Sequence, residues 1–224
     1  MKNTEKLQKE TNRDYALRVI RENIVNMELK PGSMISEQDI ANELNLSRTP
    51  VHEAMQELST TKIIEILPQR GSHVSLIDMA LVDEAVFVRA TIESAITELA
   101  CKQATDEDIQ ALEENVNLQE FYYSKNNTDK IMELDNAFHE MMYKITNKMQ
   151  CHYMVKLMNI HYDRIRELNL RSFNSETIIK EHKHIVECFK AKNSDAAKAS
   201  LLKHLERHYN WEDEIRKKYP DYFA

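Results

Sequence analysis

Between residues 10 and 27, Ala16, Leu17, Ile20, Ile24 and Met27 recur at helical spacing, and Pro31-Gly32 then stops the segment. Ser36, with Asp39 three residues on, opens a short second helix whose apolar face is Ile40, Ala41 and Leu44. After an Asn45-Leu46 turn, Ser47 is placed to cap a third helix running to about Thr60. Pro50 falls in its first turn, where a missing N–H costs no intrahelical hydrogen bond. The pattern then changes period. Ile63, Ile64, Ile66 and Leu67 form a β-prone run, Pro68-Gln69-Arg70-Gly71 a turn, and His73-Val74-Ser75-Leu76 a second extended run. Helix, helix, hairpin is the order of a winged helix-turn-helix.

From Asp78 onward glycine is absent, and proline does not return until Pro220. Helical patterns are broken only by short polar stretches near Thr105, Asn126 to Thr128, Asn147, Asn174-Ser175 and Asn193 to Asp195, which predicts about six helices. The whole chain holds 2 glycines, Gly32 and Gly71, too few for the turns of a sheet-rich fold. The expected class is therefore mainly α, with an N-terminal winged helix-turn-helix over residues 1–76 and an all-helical bundle over 77–224.

Composition narrows the partners. A length of 224 residues suits two domains. No window reaches the roughly 18 uncharged apolar residues a membrane helix needs, and the charged start MKNTEKLQKETNRD has no apolar secretory core, so a cytoplasmic protein is expected. Cys101, Cys151 and Cys188 form no Cys-x-x-Cys arrangement and read as reduced thiols. The net charge of -7 opposes DNA binding over the surface at large, so any contact with phosphates requires local positive charge.

Such charge is present where a helix-turn-helix needs it. Its second helix enters the major groove by its N-terminal end, here Ser47, Arg48, Thr49 and His52. Arg48 suits a bidentate contact to guanine, Ser47 and Thr49 suit phosphates, and Arg70 at the wing tip suits a minor groove or phosphate. A lone arginine is more often a solvated surface charge. The combination of Pro31-Gly32, SEQDIANELNLSRTPVHEAMQEL from Ser36 to Leu58, Arg70-Gly71 and Val74 resembles the GntR family of bacterial transcription regulators over nearly all of residues 10–76. The resemblance implies operator contacts at Gln38, Arg48, His52, Arg70 and Gly71. Two positions depart from the usual residue: His52 stands where arginine is common, and Lys62 where glycine is common. The expected partner is a palindromic double-stranded operator bound by a homodimer.

In the helical part, Asp135 and His139 are four apart and project from one helix face, an arrangement found more often as a surface pair than as a metal site. His182 and His204 lie in two further helices and can point toward a bundle axis, where cofactor sites are built. Imidazoles with one carboxylate suit zinc, nickel, iron or manganese, with positions open to a ligand carboxylate. Asp135-Asn-Ala-Phe-His139, Asn147, Glu181-His182, Ile185, Asp195, Ala196, Ala197 and His204-Leu205 resemble the FCD effector domain of FadR-type GntR regulators. That resemblance implies a divalent metal on Asp135, His139, His182 and His204, and a small carboxylate effector near Arg89 and Asn147. Arg89 is equally read as the ion-pair partner of Glu93, and His184 and His208 are expected to face solvent.

The expected function is a ligand-controlled DNA-binding regulator, with repression the commoner outcome among relatives. The alternative is a metal-dependent helical-bundle enzyme, but only one Glu-x-x-His spacing occurs, Glu181 to His184. No Ser-His-Asp order, phosphate loop or dinucleotide fingerprint is present.

Overall fold

A computed structural model of the chain describes residues 1–67, 71–172, 176–207 and 211–224. Helix α1 (Asn12–Val25) begins where the Thr11 side chain accepts from the Asp14 N–H, and it buries Ala16, Val19, Ile20 and Ile24. The Ser36 side chain caps α2 (Glu37–Leu44) by accepting from the Asp39 N–H. That helix ends on Asn45 at φ 54°, a left-handed conformation asparagine tolerates. Helix α3 (Arg48–Thr60) starts after Ser47, whose backbone is extended as a cap requires but whose hydroxyl makes no capping bond. Ser36→Ala is expected to cost about 1 kcal/mol of stability, read as an earlier urea or thermal midpoint.

Three antiparallel strands, β1 (Met34–Ile35), β2 (Ile64–Leu67) and β3 (Gly71–Val74), form a sheet in the order β1-β3-β2. Met34 lies opposite His73, and Ile64 opposite Val74. Gly71 opens β3 at φ +89°, a backbone conformation that strains any side chain, and a Cβ there would lie 3.0 Å from the Met34 methyl. The hairpin follows the expected order, while the turn at 68–70 lies outside the described residues. Val19, Ile20, Val51, Ala54, Met55 and Ile63 form the core of this part, each fully excluded from water.

The remainder is helical: α4 (Met79–Gln103), α5 (Asp106–Ser124), α6 (Thr128–Ile145), α7 (Met149–Met158), α8 (Ile160–Ser172), α9 (Glu176–Lys190), α10 (Ser194–Leu205) and α11 (Glu212–Lys218). These are more pieces than the polar breaks suggest, because α7 and α8 divide at Asn159 and α11 separates from α10. Thr105 and Asp108 form a reciprocal capping box at α5, while Asn127 and Asn193 cap α6 and α10. No described helix is long and apolar enough to cross a membrane.

Internal contacts group the chain into two compact units. The first comprises Met1–Val82, Ile160–Ile165 and Glu214–Ala224, and the second Asp83–Asn159 and Arg166–Asp213. Within the first unit, fully buried Arg164 donates to the Ser75 carbonyl at 2.8 Å, and His161 Nε2 lies 2.6 Å from the Thr61 carbonyl. Ile77 bridges to Phe223, its N–H donating to the Tyr222 carbonyl at 2.7 Å. The second unit packs Leu112, Phe138, Tyr143, Ile185, Phe189 and Leu201 into one core.

Candidate functional site

Asp135 and His139 stand one turn apart on α6, and α9 and α10 bring His182 and His204 to the same point. All four are buried, and each offers a ligand atom within 4.8 Å of the others. His182 Nε2 lies 3.4 Å from His204 Nε2 and 3.6 Å from Asp135 Oδ1, and His139 Nε2 lies 3.9 Å from Asp135 Oδ2. Burial of charged and polar groups on this scale is costly unless something gathers them.

The outer ring nitrogens explain which form each imidazole takes. Gln119 donates its amide to Asn115 Oδ1 at 2.7 Å, so its oxygen is the atom that accepts from His182 Nδ1–H at 2.9 Å. His204 Nδ1 lies 2.9 Å from Glu181 Oε2, also an acceptor. With protons on both Nδ1 atoms, the two Nε2 lone pairs face each other and repel. His139 Nδ1 lies 2.8 Å from Glu93 Oε2, and its Nε2 is buried without a hydrogen-bond partner among the described residues. A divalent cation fits this set: it takes three imidazole nitrogens and a carboxylate oxygen, and carboxylate or amide oxygens behind the rings orient them.

Protonation favours the same occupant. Burial alone would raise the Asp135 carboxyl, but Arg166 and then the three imidazoles outweigh it and hold it far below the usual range. Glu93 is likewise pushed up by burial but held down to about 2 by Arg89 and His139. Burial, followed by the charge of His204, drives His182 well below its ordinary value. His204 falls to about 4, chiefly through burial and against the pull of Glu181. Neutral imidazoles and ionised carboxylates are the forms a metal requires. Each nearby carboxylate also has an arginine: Arg166 beside Asp135, Arg89 beside Glu93 and Arg207 beside Glu181. Adding a divalent cation leaves positive charge for an anionic ligand to offset.

Arg89 is buried, with its Nε 3.0 Å from Glu93 Oε1, so the ion-pair reading holds and places it one residue removed from His139. Asn147 is not brought to the cluster. It is exposed, at φ 54° just beyond α6, where asparagine suits a left-handed helix end, and this accounts for the residue type without a ligand. His184 is exposed as expected, and His208 lies outside the described residues. The sequence reading passed over Gln119, Arg166 and Arg207, and named Glu181 only in the FCD-like motif and the Glu-x-x-His spacing. An Arg89/Glu93 pair on a buried helix face was the one local signal of this supporting layer.

On the first unit, Gln38, Ser47, Arg48, Thr49, His52 and Gly71 are all exposed, and Arg70 lies outside the described residues. Gln38 donates to Asn42 Oδ1 at 3.0 Å. Glu37, at the start of α2, accepts from Arg48 Nε at 2.7 Å and lies 2.8 Å from His52 Nδ1. Burial would raise the Glu37 carboxyl, but His52 and Arg48 together lower it. One carboxylate thus pre-orients two of the side chains expected to meet DNA, an organiser the sequence reading did not single out.

Residues 15–74 match the bacterial regulatory proteins of the gntR family, and residues 84–207 match the FCD domain. The chain belongs to the GntR family of DNA-binding transcription regulators and carries an FCD domain. It is 29% identical over 208 residues to the HTH-type transcriptional repressor RspR of Escherichia coli K12, covering 92% of this chain and 91% of that one. It is 30% identical over 190 residues to the HTH-type regulator YdhC of Bacillus subtilis, covering 83% and 84%. The solved structure of E. coli McbR/YncC shares the fold at a TM-score of 0.78 and 18% identity, covering 93% of this chain and 99% of that one. RspR and YdhC are transcription regulators rather than enzymes.

Proposed function

We propose that this regulator is a cytoplasmic homodimeric repressor whose operator affinity is set by a small carboxylate bound at a metal in the FCD domain. The observation that carries the reading is the convergence of Asp135, His139, His182 and His204, with ligand atoms within 4.8 Å and lone pairs facing inward. These four residues hold a divalent cation of the zinc, nickel, iron or manganese class, whose contribution is Lewis-acid attraction for a carboxylate oxygen. Arg89, paired with Glu93 behind His139, is the second group proposed to meet the acid.

Residues 1–76 act as the DNA-binding domain and 77–224 carry effector binding and dimerisation, a division supported by the two family matches, with 160–165 and 214–224 grouping with the first unit. Arg48 reads a base edge, His52 and Gln38 extend the contact, Ser47 and Thr49 hold phosphates, and the Arg70-Gly71 wing meets the flanking groove. Pairing of two copies across a palindromic operator is supported by the exposed apolar face of α7, formed by Tyr153, Met154, Leu157 and Met158. The repressor assignment draws on the similarity to the repressor RspR. An acid shifts operator affinity only to the extent that it binds the DNA-competent and incompetent states unequally.

Fluorescence anisotropy on an operator recovered by selection from random duplex DNA tests this. At least one acid from a panel of small carboxylates is expected to change operator affinity by about 5- to 150-fold. Stripping the metal with a chelator is expected to remove that response. A carboxylate response that survives complete metal removal would contradict the reading.

A further inference from the structure

We propose that the Tyr143 hydroxyl is a specificity-determining hydrogen-bond donor to a neutral oxygen, hydroxyl or carbonyl, on the acid bound beside His139. The inference rests on the carboxylate-effector reading above and deepens it. Asp135, His139 and Tyr143 follow one another at intervals of four along α6, so Tyr143 forms the next tier on the face that carries two of the candidate metal ligands. Its side chain is fully buried, and its hydroxyl has no hydrogen-bond partner among the described residues. Buried hydroxyls are rarely left so, and each such case calls for an unseen partner. Packing does not explain the atom either, because a phenylalanine at 143 would fill the same core, which also holds Phe138, without the cost of a stranded hydroxyl.

The surroundings indicate what the partner is. Glu93 and Arg89, the pair that backs His139, act on the hydroxyl through their charges, as does Cys151. Those two residues are already bound to each other at 3.0 Å, so together they present little net charge. The ring of His152 packs 5.1 Å from that of Tyr143. Burial raises the Tyr143 pKa, with Glu93 adding to the effect, so the phenol stays protonated and donates. A neutral donor in a nearly neutral tier suits an uncharged oxygen, whereas a second carboxylate would lie against Glu93.

Lactate and propionate share a carbon skeleton and differ by one hydroxyl, so they are the probes. The full-length chain, purified with its metal, is titrated with each acid by calorimetry, alongside the Tyr143→Phe variant. The wild type is expected to prefer lactate, and the variant to lose lactate affinity by about five- to tenfold while propionate binding stays within about twofold. Metal content is expected to be unchanged, and the ligand-free variant should melt at the same temperature or higher, since a stranded hydroxyl has been removed. An unchanged lactate-to-propionate ratio overturns the role of Tyr143 while the carboxylate reading stands. Loss of metal from the variant also overturns it, by assigning the hydroxyl a structural duty. Failure of the wild type to bind either acid overturns the Tyr143 inference, whose donor then has no small hydroxy acid to meet, while the carboxylate reading is decided by the wider panel.

Discussion

Replacing His182 by alanine is expected to abolish the carboxylate response and to leave operator affinity in the absence of acid within about twofold, as for changes distant from the altered contact. His182 is fully buried, and its Nε2 is the atom nearest both His204 and Asp135 in the cluster. Loss of an outer partner of a ligating histidine typically lowers metal affinity by about 10- to 100-fold, and loss of the ligand itself exceeds that. The substitution also strands Gln119 Oε1, so the second unit is expected to lose stability by about 1–3 kcal/mol. The residues proposed to meet DNA all belong to the first unit. Anisotropy titrations of operator with and without acid check the prediction, and an intact response in the variant would contradict it.

Arg48→Ala is expected to weaken operator binding by about 1–3 kcal/mol, roughly 5- to 150-fold, and to relax the preference at a single base pair. The guanidinium is exposed yet not loose, since Glu37 holds its Nε at 2.7 Å. Removing it loses the donor and leaves the Glu37 carboxylate on a surface proposed to face phosphates. Selection of preferred operators by wild type and variant distinguishes two roles for the residue. Relaxation at one position identifies a base contact, whereas a uniform loss with a shallower salt dependence identifies a phosphate contact.

The stretch from Ser36 to Thr60 was readable because its punctuation is local. Ser36 and Asn45 mark helix ends by side-chain chemistry or tolerance of a left-handed backbone, Ser47 takes the extended cap backbone without a capping bond, and Pro50 fits only a first turn. Strand β1 was not, because two residues carry no period. The break at Asn159 has neither glycine nor proline to announce it. Nor could the sequence show that residues 160–165 group with the winged helix, since Arg164 and His161 are satisfied by the carbonyls of Ser75 and Thr61, far away along the chain.

The candidate site divides in the same way. The interval between Asp135 and His139 is a helical turn and was visible, while His182 and His204 joined it through family resemblance. Gln119, Glu181 and Arg166 each act on a residue of another helix, so no spacing within one segment reveals them. Asn147 shows how a residue type that matches a motif can also be explained locally, here by its positive φ.

The central claim is that this chain carries a metal on Asp135, His139, His182 and His204. It is tested most directly by purifying the protein without added metal or chelator and measuring metal by plasma mass spectrometry, in parallel with Asp135→Ala and His182→Ala. A tetra-liganded site predicts about one equivalent per chain in the wild type and close to none in either variant. Metal absent from the wild type, or retained at the same level in both variants, would contradict the account.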